Sequence, residues 1–275
     1  MTSNEIIRYE RGFDVCKWEV ERYKKITCFR EKSTYKIWKM YDNKTEKYVV
    51  IREIVDTLYE RKKILKEYNI LNKIIHINNV SKFMGLNLYN NHINLIVEYV
   101  SGIDLYEYIK SLDDEVYIPE VMTKKICVQI CTALKYIHSL GIIHRDIKPE
   151  NIIINEDGNI TIIDWDLARE YKPDKIYKPS GSFYYVAPEI FYHPPTVGSF
   201  NDIWGFGVLF YCLTTKCLPF NGDCPKEIVE SIKTFSVIYG IQGTTPLGED
   251  LLKNIFCPYK NRITANDVLQ HPYFD

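Results

Sequence analysis

His144-Arg145-Asp146-Ile147-Lys148-Pro149-Glu150-Asn151 crowds ionisable and amide side chains into one octapeptide, inside a strand–loop–strand pattern that runs from Ile142 to Ile163. Asp164 follows Asn151 by thirteen residues, at the end of the apolar run Ile160-Thr161-Ile162-Ile163. Further on, Ala187-Pro188-Glu189 closes a loop and Asp202-Ile203-Trp204-Gly205-Phe206-Gly207 opens an apolar helix. Arg262 then precedes a last helical stretch that ends in His271-Pro272-Tyr273-Phe274. The octapeptide alone is weak evidence; the order and spacing of all these pieces decide the fold.

Upstream of the octapeptide the pattern changes. Residues 18 to 54 read as strands, with Ile26-Thr27-Cys28-Phe29, then Tyr35 to Asp42, a turn at Asn43 and Lys44, and Glu46 to Ile54. Alternating and β-branched residues around an Asn-containing turn are the hairpin signal. Leu58, Ile64, Leu65, Tyr68 and Leu71 recur at helical spacing and predict a helix from about Thr57 to Lys73. Two further strands are expected around Ser81–Leu88 and Ile93–Tyr99, and the chain loosens at Ser101 and Gly102. Beyond that point lie a short helix near Leu105–Ser111 and a long one from Pro119 to Ser139, whose proline suits a first-turn position. The chain is expected to be helical from Asp202 onward, with breaks at Pro219, Pro225 and Pro258.

The composition narrows the classes. A length of 275 residues suffices for one large domain or two lobes, and 46% hydrophobic with 26% charged residues is ordinary for a globular chain. The 35 basic against 36 acidic residues argue against a dedicated nucleic-acid binder. The eight cysteines lack paired zinc spacing, and Cys127 and Cys131 sit in an apolar helical run where they read as core side chains. The longest clean apolar stretch, Ile203–Leu213, is too short to cross a membrane, so an intracellular protein, cytoplasmic or nuclear, is expected.

The octapeptide, Asp164, the Ala187-Pro188-Glu189 triplet, the Asp202 helix and Arg262 together resemble the motifs of Ser/Thr protein kinases, in the family's order and over essentially the whole chain. The resemblance implies an α+β, two-lobed protein kinase fold across residues 1–275. Its small, mainly β lobe with one main helix would span 1–100 and its large, mainly helical lobe 101–275, with a catalytic loop at 144–151 and an activation segment at 164–189. Phosphoryl transfer is governed by positioning and electrostatics. Asp146 would orient a Ser or Thr hydroxyl and accept its proton. Asn151 and Asp164 would offer oxygen ligands to Mg²⁺, with Mn²⁺ as an alternative ion, on the phosphates of ATP. Lys148 would reach the transferred phosphate. Asp202 resembles the residue that braces the catalytic loop, and Glu189 with Arg262 a buried ion pair. Gly181-Ser182, seven residues before Pro188, and the retained Lys148 imply Ser/Thr preference and a protein substrate. Arg145 resembles the arginine that gathers a phosphorylated activation segment. Tyr177 and Ser180 are candidate acceptors; a segment ordered without modification is the alternative.

On the nucleotide side the sequence departs from the family. Counting back fifteen residues from Arg52 places the apolar residue that closes the glycine-rich loop at Ile37, and the three glycine positions at Arg30, Lys32 and Tyr35. Backbone could then not approach phosphate as glycine permits. Arg30 and Lys32 either supply charge in compensation or are solvated strand residues. The lysine of the third strand is replaced by Arg52, whose helix partner resembles Glu67, and a guanidinium need not hold phosphate as an ammonium does. Lys32, Lys36 and Lys39 are local substitutes, as in kinases that lack the usual lysine. Asp164-Trp165-Asp166 stands where Asp-Phe-Gly is usual, with Asp166 either an extra metal ligand or a source of repulsion. The adenine side follows the family more closely. Val97-Glu98-Tyr99-Val100 resembles the segment joining the lobes, whose backbone would bond the purine; Asp104 matches the ribose-binding acid and Val50 the residue over the adenine. Two readings follow: a weak or unusual Ser/Thr kinase, and a pseudokinase acting as a binding or allosteric module. With the chain about the length of the bare domain, regulation is expected to come from a protein partner, phosphorylation or expression level.

Overall fold

The computed structural model describes residues 6–9, 13–17, 21–113, 115–172 and 177–275. Residues 18–20 of the expected strand region and 173–176 of the segment 164–189 lie outside the described residues. The chain divides into two compact units: one ends at Ile75 and takes in Ser81–Val100, the other holds His76–Val80 and Ser101–Asp275.

The smaller unit is a seven-stranded sheet and one helix. Its elements are β1 (Ile6–Tyr9), β2 (Phe13–Lys17), β3 (Tyr23–Glu31), β4 (Tyr35–Asp42), β5 (Lys47–Val55), α1 (Leu58–Ile74), β6 (Phe83–Tyr89) and β7 (His92–Glu98). The spatial order is β1-β2-β6-β7-β5-β4-β3, antiparallel except where β2 runs parallel to β6. The sequence reading began its strands at residue 18 and did not foresee β1 or β2. β1 pairs with β2, and the pairing of β2 to β6 joins residues some seventy apart, Cys16 opposite Asn87, which no local pattern encodes. Along β4 and β5 the period of two sorts the faces. Trp38, Met40, Val49, Ile51 and Ile96 pack together on one. Ile37 pairs with Arg52 and Arg52 with Leu95, while Lys39 pairs with Val50 and Val50 with Val97, which sets these residues on the other. α1 begins where the Thr57 side chain accepts from the Glu60 amide, a usual N-cap. It buries Ile64, Glu67, Ile70, Leu71 and Ile74 on one stripe.

Asp42 locks the β4–β5 turn. Arg22 donates to both its oxygens at 2.9 and 2.8 Å, and the Lys44 amide and Thr45 hydroxyl complete the set. Burial alone would raise this carboxyl, yet the bonds from Arg22, Lys44 and Thr45 outweigh it and hold the group at about 2, against an ordinary 3.8. A depressed carboxylate contributes stability that is fully present above 3.8 and is lost as pH falls towards 2. Asp42→Asn should therefore cost roughly 2 kcal/mol at neutral pH. The gap in urea midpoint between variant and wild type should narrow between pH 4 and 2; an equal gap at pH 7 and pH 2.5 would contradict this account.

The larger unit is mainly helical: β8 (Ile103–Asp104), α2 (Leu105–Lys110), α3 (Glu120–Ser139), β9 (Ile142–Ile143), β10 (Ile152–Ile154), β11 (Ile160–Ile162), β12 (Arg169–Glu170), α4 (Ser199–Thr215), α5 (Pro225–Lys233), α6 (Pro246–Ile255) and α7 (Ala265–Leu269). Its short strands form the sheets β11-β10-β8 and β12-β9. The first presents the loop before β10, which carries the octapeptide. α4 is buried from Asp202 to Thr215, as expected of a helix apolar on all sides. Trp204 stacks on Phe220 at 5.2 Å and meets Phe256 edge-on. Gly205 lets α4 approach the octapeptide, since a Cβ there would stand 2.8 Å from the Ile147 carbonyl. Of the proline readings, the break expected at Pro225 holds and only the first-turn place of Pro119 moves, by one residue. Pro119 is the N-cap of α3, and Pro225 starts α5 at a position whose missing N–H costs nothing. Cys127 and Cys131 are fully buried, and burial pushes both thiols up, as befits inert core side chains. Among the described residues no helix is long and apolar enough to cross a membrane.

Candidate active site

In the larger unit the octapeptide is fixed from below by Asp202. Its two oxygens accept from the His144 amide at 2.9 Å and the Arg145 amide at 2.7 Å, and His138 Nε2 lies 2.9 Å away. Burial would raise this carboxyl, but the His138 bond and the nearby imidazole and amide groups hold it low. Asp202 thus has the bracing role expected of it. Arg145 and Asp164 both adopt left-handed backbone, φ 74° and 60°. Such torsions in non-glycine residues are costly and persist only where the surroundings dictate them.

Asp146 is the centre of the arrangement. Its Oδ1 accepts from the Ser182 amide at 2.8 Å, and its Oδ2 accepts from Asn151 Nδ2 at 3.0 Å and lies 2.9 Å from Lys148 Nζ. Lys148 also donates to Ser182 Oγ at 2.6 Å, closing a ring of Asp146, Lys148 and Ser182. Burial opposes ionisation of Asp146, but the Lys148 bond and charge and the Ser182 amide prevail and keep its carboxyl below the ordinary range. At neutral pH the group is therefore a carboxylate, aimed and ready to accept a hydrogen bond from an incoming hydroxyl. Gly181 makes the turn that delivers Ser182: its φ is +115°, and a Cβ would stand 2.9 Å from the Arg145 carbonyl. A shallow concavity opens here, lined by Arg145, Asp146, Gly181, Ser182, Tyr185 and Val186 among others. The direct tie of Ser182 to Lys148 was not foreseen; the pair Gly181-Ser182 stood out in the sequence only as a mark of acceptor preference.

Asn151 spends its amide nitrogen on Asp146, bonding both its carbonyl at 2.9 Å and its carboxylate, so the carboxamide oxygen is the atom suited to a hard cation. The Asn151 carbonyl accepts from the Ile163 amide at 2.9 Å, which brings Asp164 beside this loop. Asp164 is exposed, and its carboxylate makes no hydrogen bond or ion pair among the described residues. An uncommitted carboxylate next to an oriented amide is a donor set that fits Mg²⁺ supplemented by phosphate oxygens. No group of three or more His, Cys, Asp or Glu that could hold a metal unaided occurs among the described residues. Trp165 is 1% exposed and meets His144 edge-on at 4.6 Å, so it serves as a packing group. The Asp166 carbonyl accepts from Arg169 Nη1 at 2.9 Å.

In the smaller unit, Arg52 is ion-paired with Glu67 through Nη2 and Oε2, with side chains 16% and 5% exposed. Ile37, Val50, Arg52 and Val97 share one sheet face by register. Glu98 accepts from the Lys82 amide at 2.9 Å, and Val100 is half-buried. Between β3 and β4 the chain makes a tight hairpin closed by Lys32 N–H to the Tyr35 carbonyl at 2.9 Å. Of the substitute lysines, Lys36 is paired with Glu31 at 2.6 Å, and Lys39 lies over the Tyr48 and Tyr99 rings at 4.4 and 3.9 Å. Lys32 is exposed, 5.6 Å over the Tyr35 ring, and Arg30 is an exposed strand residue without a side-chain partner among the described residues. Asp104, in the larger unit, caps α2 by accepting from the Glu107 amide through Oδ1, which leaves Oδ2 for a ligand.

A model of the protein kinase domain matches residues 33–274. Among curated relatives, sperm motility kinase Z of Mus musculus is 31% identical over 76% of this chain and 41% of its own length. The probable serine/threonine-protein kinase MARK-C of Dictyostelium discoideum is 35% identical over 65% of this chain and 23% of its own. Calcium-dependent protein kinase 4 of Plasmodium berghei is 30% identical over 82% and 43%. The chain thus spans less than half the length of these relatives. With a β-rich lobe, a helical lobe and the His144–Asn151 loop in place, the chain belongs to the protein kinase domain family, among homologues of Ser/Thr kinases.

Proposed function

We propose that the protein transfers the γ-phosphoryl group of ATP to a serine or threonine hydroxyl of a protein substrate. The observation that carries this reading is the Asp146 carboxylate, held by Ser182 N–H, Asn151 and Lys148 within 3.0 Å. A buried aspartate that only tied down loop amides would need neither the ammonium of Lys148 nor that lysine's second bond to Ser182. In this reading Asp146 orients the acceptor hydroxyl and takes its proton, while Lys148 places positive charge at the transferred group. Asn151 and Asp164 would hold Mg²⁺, or Mn²⁺, which supplies neutralisation of phosphate charge. From the small lobe, Arg52 steadied by Glu67 would serve the α- and β-phosphates, with Arg30 and Lys32 as further cations. Ile37, Val50, Val97, Glu98, Val100 and Asp104 would hold the nucleoside.

The pseudokinase reading has one observation in its favour: the Arg52 guanidinium is committed to Glu67 where the family uses a compact ammonium. Incubation with γ-labelled ATP and Mg²⁺, over a mixture of Ser/Thr proteins, separates the two. Label recovered as phosphoserine or phosphothreonine is the expected result. No incorporation with either Mg²⁺ or Mn²⁺ would transfer the reading to a binding module, and label on tyrosine alone would overturn the acceptor class.

A further inference from the structure

Tyr177 and Ser180 were candidate phosphate acceptors, and the structure withdraws both from solvent. Tyr177 is 6% exposed and packs with Ile143, Ile190 and Val197. Its hydroxyl donates to the Glu170 carbonyl at 2.9 Å and accepts from the Lys172 amide at 2.8 Å, joining the start of the activation segment to its middle. The Ser180 hydroxyl is buried and makes no hydrogen bond among the described residues. Arg145, the residue expected to gather a phosphoryl group, lies 5.6 Å over the Tyr177 ring and donates to the Lys178 carbonyl at 2.7 Å. Arg169, its neighbour in charge, donates to the carbonyls of Asp166 and Ala168. Both guanidiniums are thus used on segment backbone, and the residue after Tyr177 is a lysine, which brings no negative charge to them.

We propose that Tyr177 is a positioning residue that clamps the activation segment in its working shape without phosphorylation. Its ring fills the apolar cluster, its hydroxyl ties Glu170 to Lys172, and Arg145 holds the next carbonyl. The stretch that follows then delivers Gly181 and Ser182 to Asp146 and Lys148 directly. A phosphoryl group on Tyr177 would have to displace the ring from its cluster and break both hydroxyl bonds, so modification there would release the clamp.

The test is amide hydrogen exchange over residues 178–186, on wild type brought to zero phosphorylation by phosphatase and verified by intact mass, beside Tyr177→Phe. The phenylalanine keeps the ring and removes only the hydroxyl. Slow exchange is expected in the unphosphorylated wild type, with exchange about tenfold faster in the variant, from loss of two bonds, and no change in 120–139. The kinetic consequence rests on the proposed activity: the KM for a peptide substrate should rise while that for ATP stays constant. A protein without turnover would refute that activity and leave the exchange result to judge the clamp. The clamp is overturned if the unphosphorylated wild type exchanges at free-peptide rates and gains protection only when phosphorylated. Equal protection in Tyr177→Phe overturns it too, as does faster exchange across both 178–186 and 120–139, which would mark a merely structural hydroxyl.

Discussion

Under the proposed phosphoryl transfer, Asp146→Asn should lower turnover by about 10² to 10⁴-fold, the range for losing a positioned general base, while the protein stays folded. The geometry explains why the fold survives. The asparagine carbonyl oxygen can still accept from the Ser182 amide, which reaches Asp146 Oδ1 at 2.8 Å, and the loop remains braced by Asp202 from α4. What is lost is the second oxygen, which now lies 3.0 Å from Asn151 Nδ2 and 2.9 Å from Lys148, together with the negative charge that a departing hydroxyl proton requires. Lys148 would keep Ser182 as a partner at 2.6 Å, so the ammonium should stay near its place. The measurement is the initial rate of phosphate incorporation by wild type and variant at matched urea midpoints. Equal rates would show that any activity belongs to a contaminant or that Asp146 only supports the loop.

The large lobe was legible because its signals are local or carry their own spacing. The Ile160–Ile163 run, the helical period of α3 and the all-apolar α4 each name their element within a dozen or so residues. The pairing of Glu189 with Arg262 and the bracing by Asp202 were legible through family resemblance and are borne out at 2.6 and 2.7 Å. What escaped was non-local. β2 lies beside β6 in the sheet although β3, β4, β5 and α1 separate them in sequence, and nothing near Cys16 announces Asn87 as its partner. Tyr177 was a candidate acceptor through the likeness of Arg145 to a phosphate-gathering arginine; its burial follows from Ile143, Ile190 and Val197, residues separated from it in sequence. The alternatives left open for the substitute lysines were narrowed by partners that sequence does not show, Glu31 for Lys36 and the paired rings of Tyr48 and Tyr99 for Lys39.

Glu189→Ala destabilises the large lobe by about 3–5 kcal/mol, the cost of leaving one member of a buried ion pair alone. Arg262 is 0% and Glu189 1% exposed in their side chains, and they form a fork of 2.6 and 3.1 Å bonds. The guanidinium fills its remaining donors with the carbonyls of Ile255, Phe200 and Cys257, each at 2.9 Å, and lies 4.8 Å over the Trp204 ring. Glu189 also takes Asn201 Nδ2 at 2.9 Å, so its loss would leave that amide and the charge of Arg262 uncompensated in an apolar surround. Arg262→Lys should be nearly as harmful, because one ammonium cannot reach a carboxylate and three carbonyls in a planar fork. The pair Glu189→Leu with Arg262→Met should recover part of the loss, since removing both charges together removes the burial penalty as well as the attraction. Urea unfolding of wild type, Glu189→Leu, Arg262→Met and the double variant checks this, beside Glu189→Ala and Arg262→Lys. A double variant as unstable as the sum of the singles would mean that the carbonyl bonds of Arg262, rather than its charge pairing, hold the lobe, whereas a single-variant cost near zero would refute the buried pair as a stabilising element.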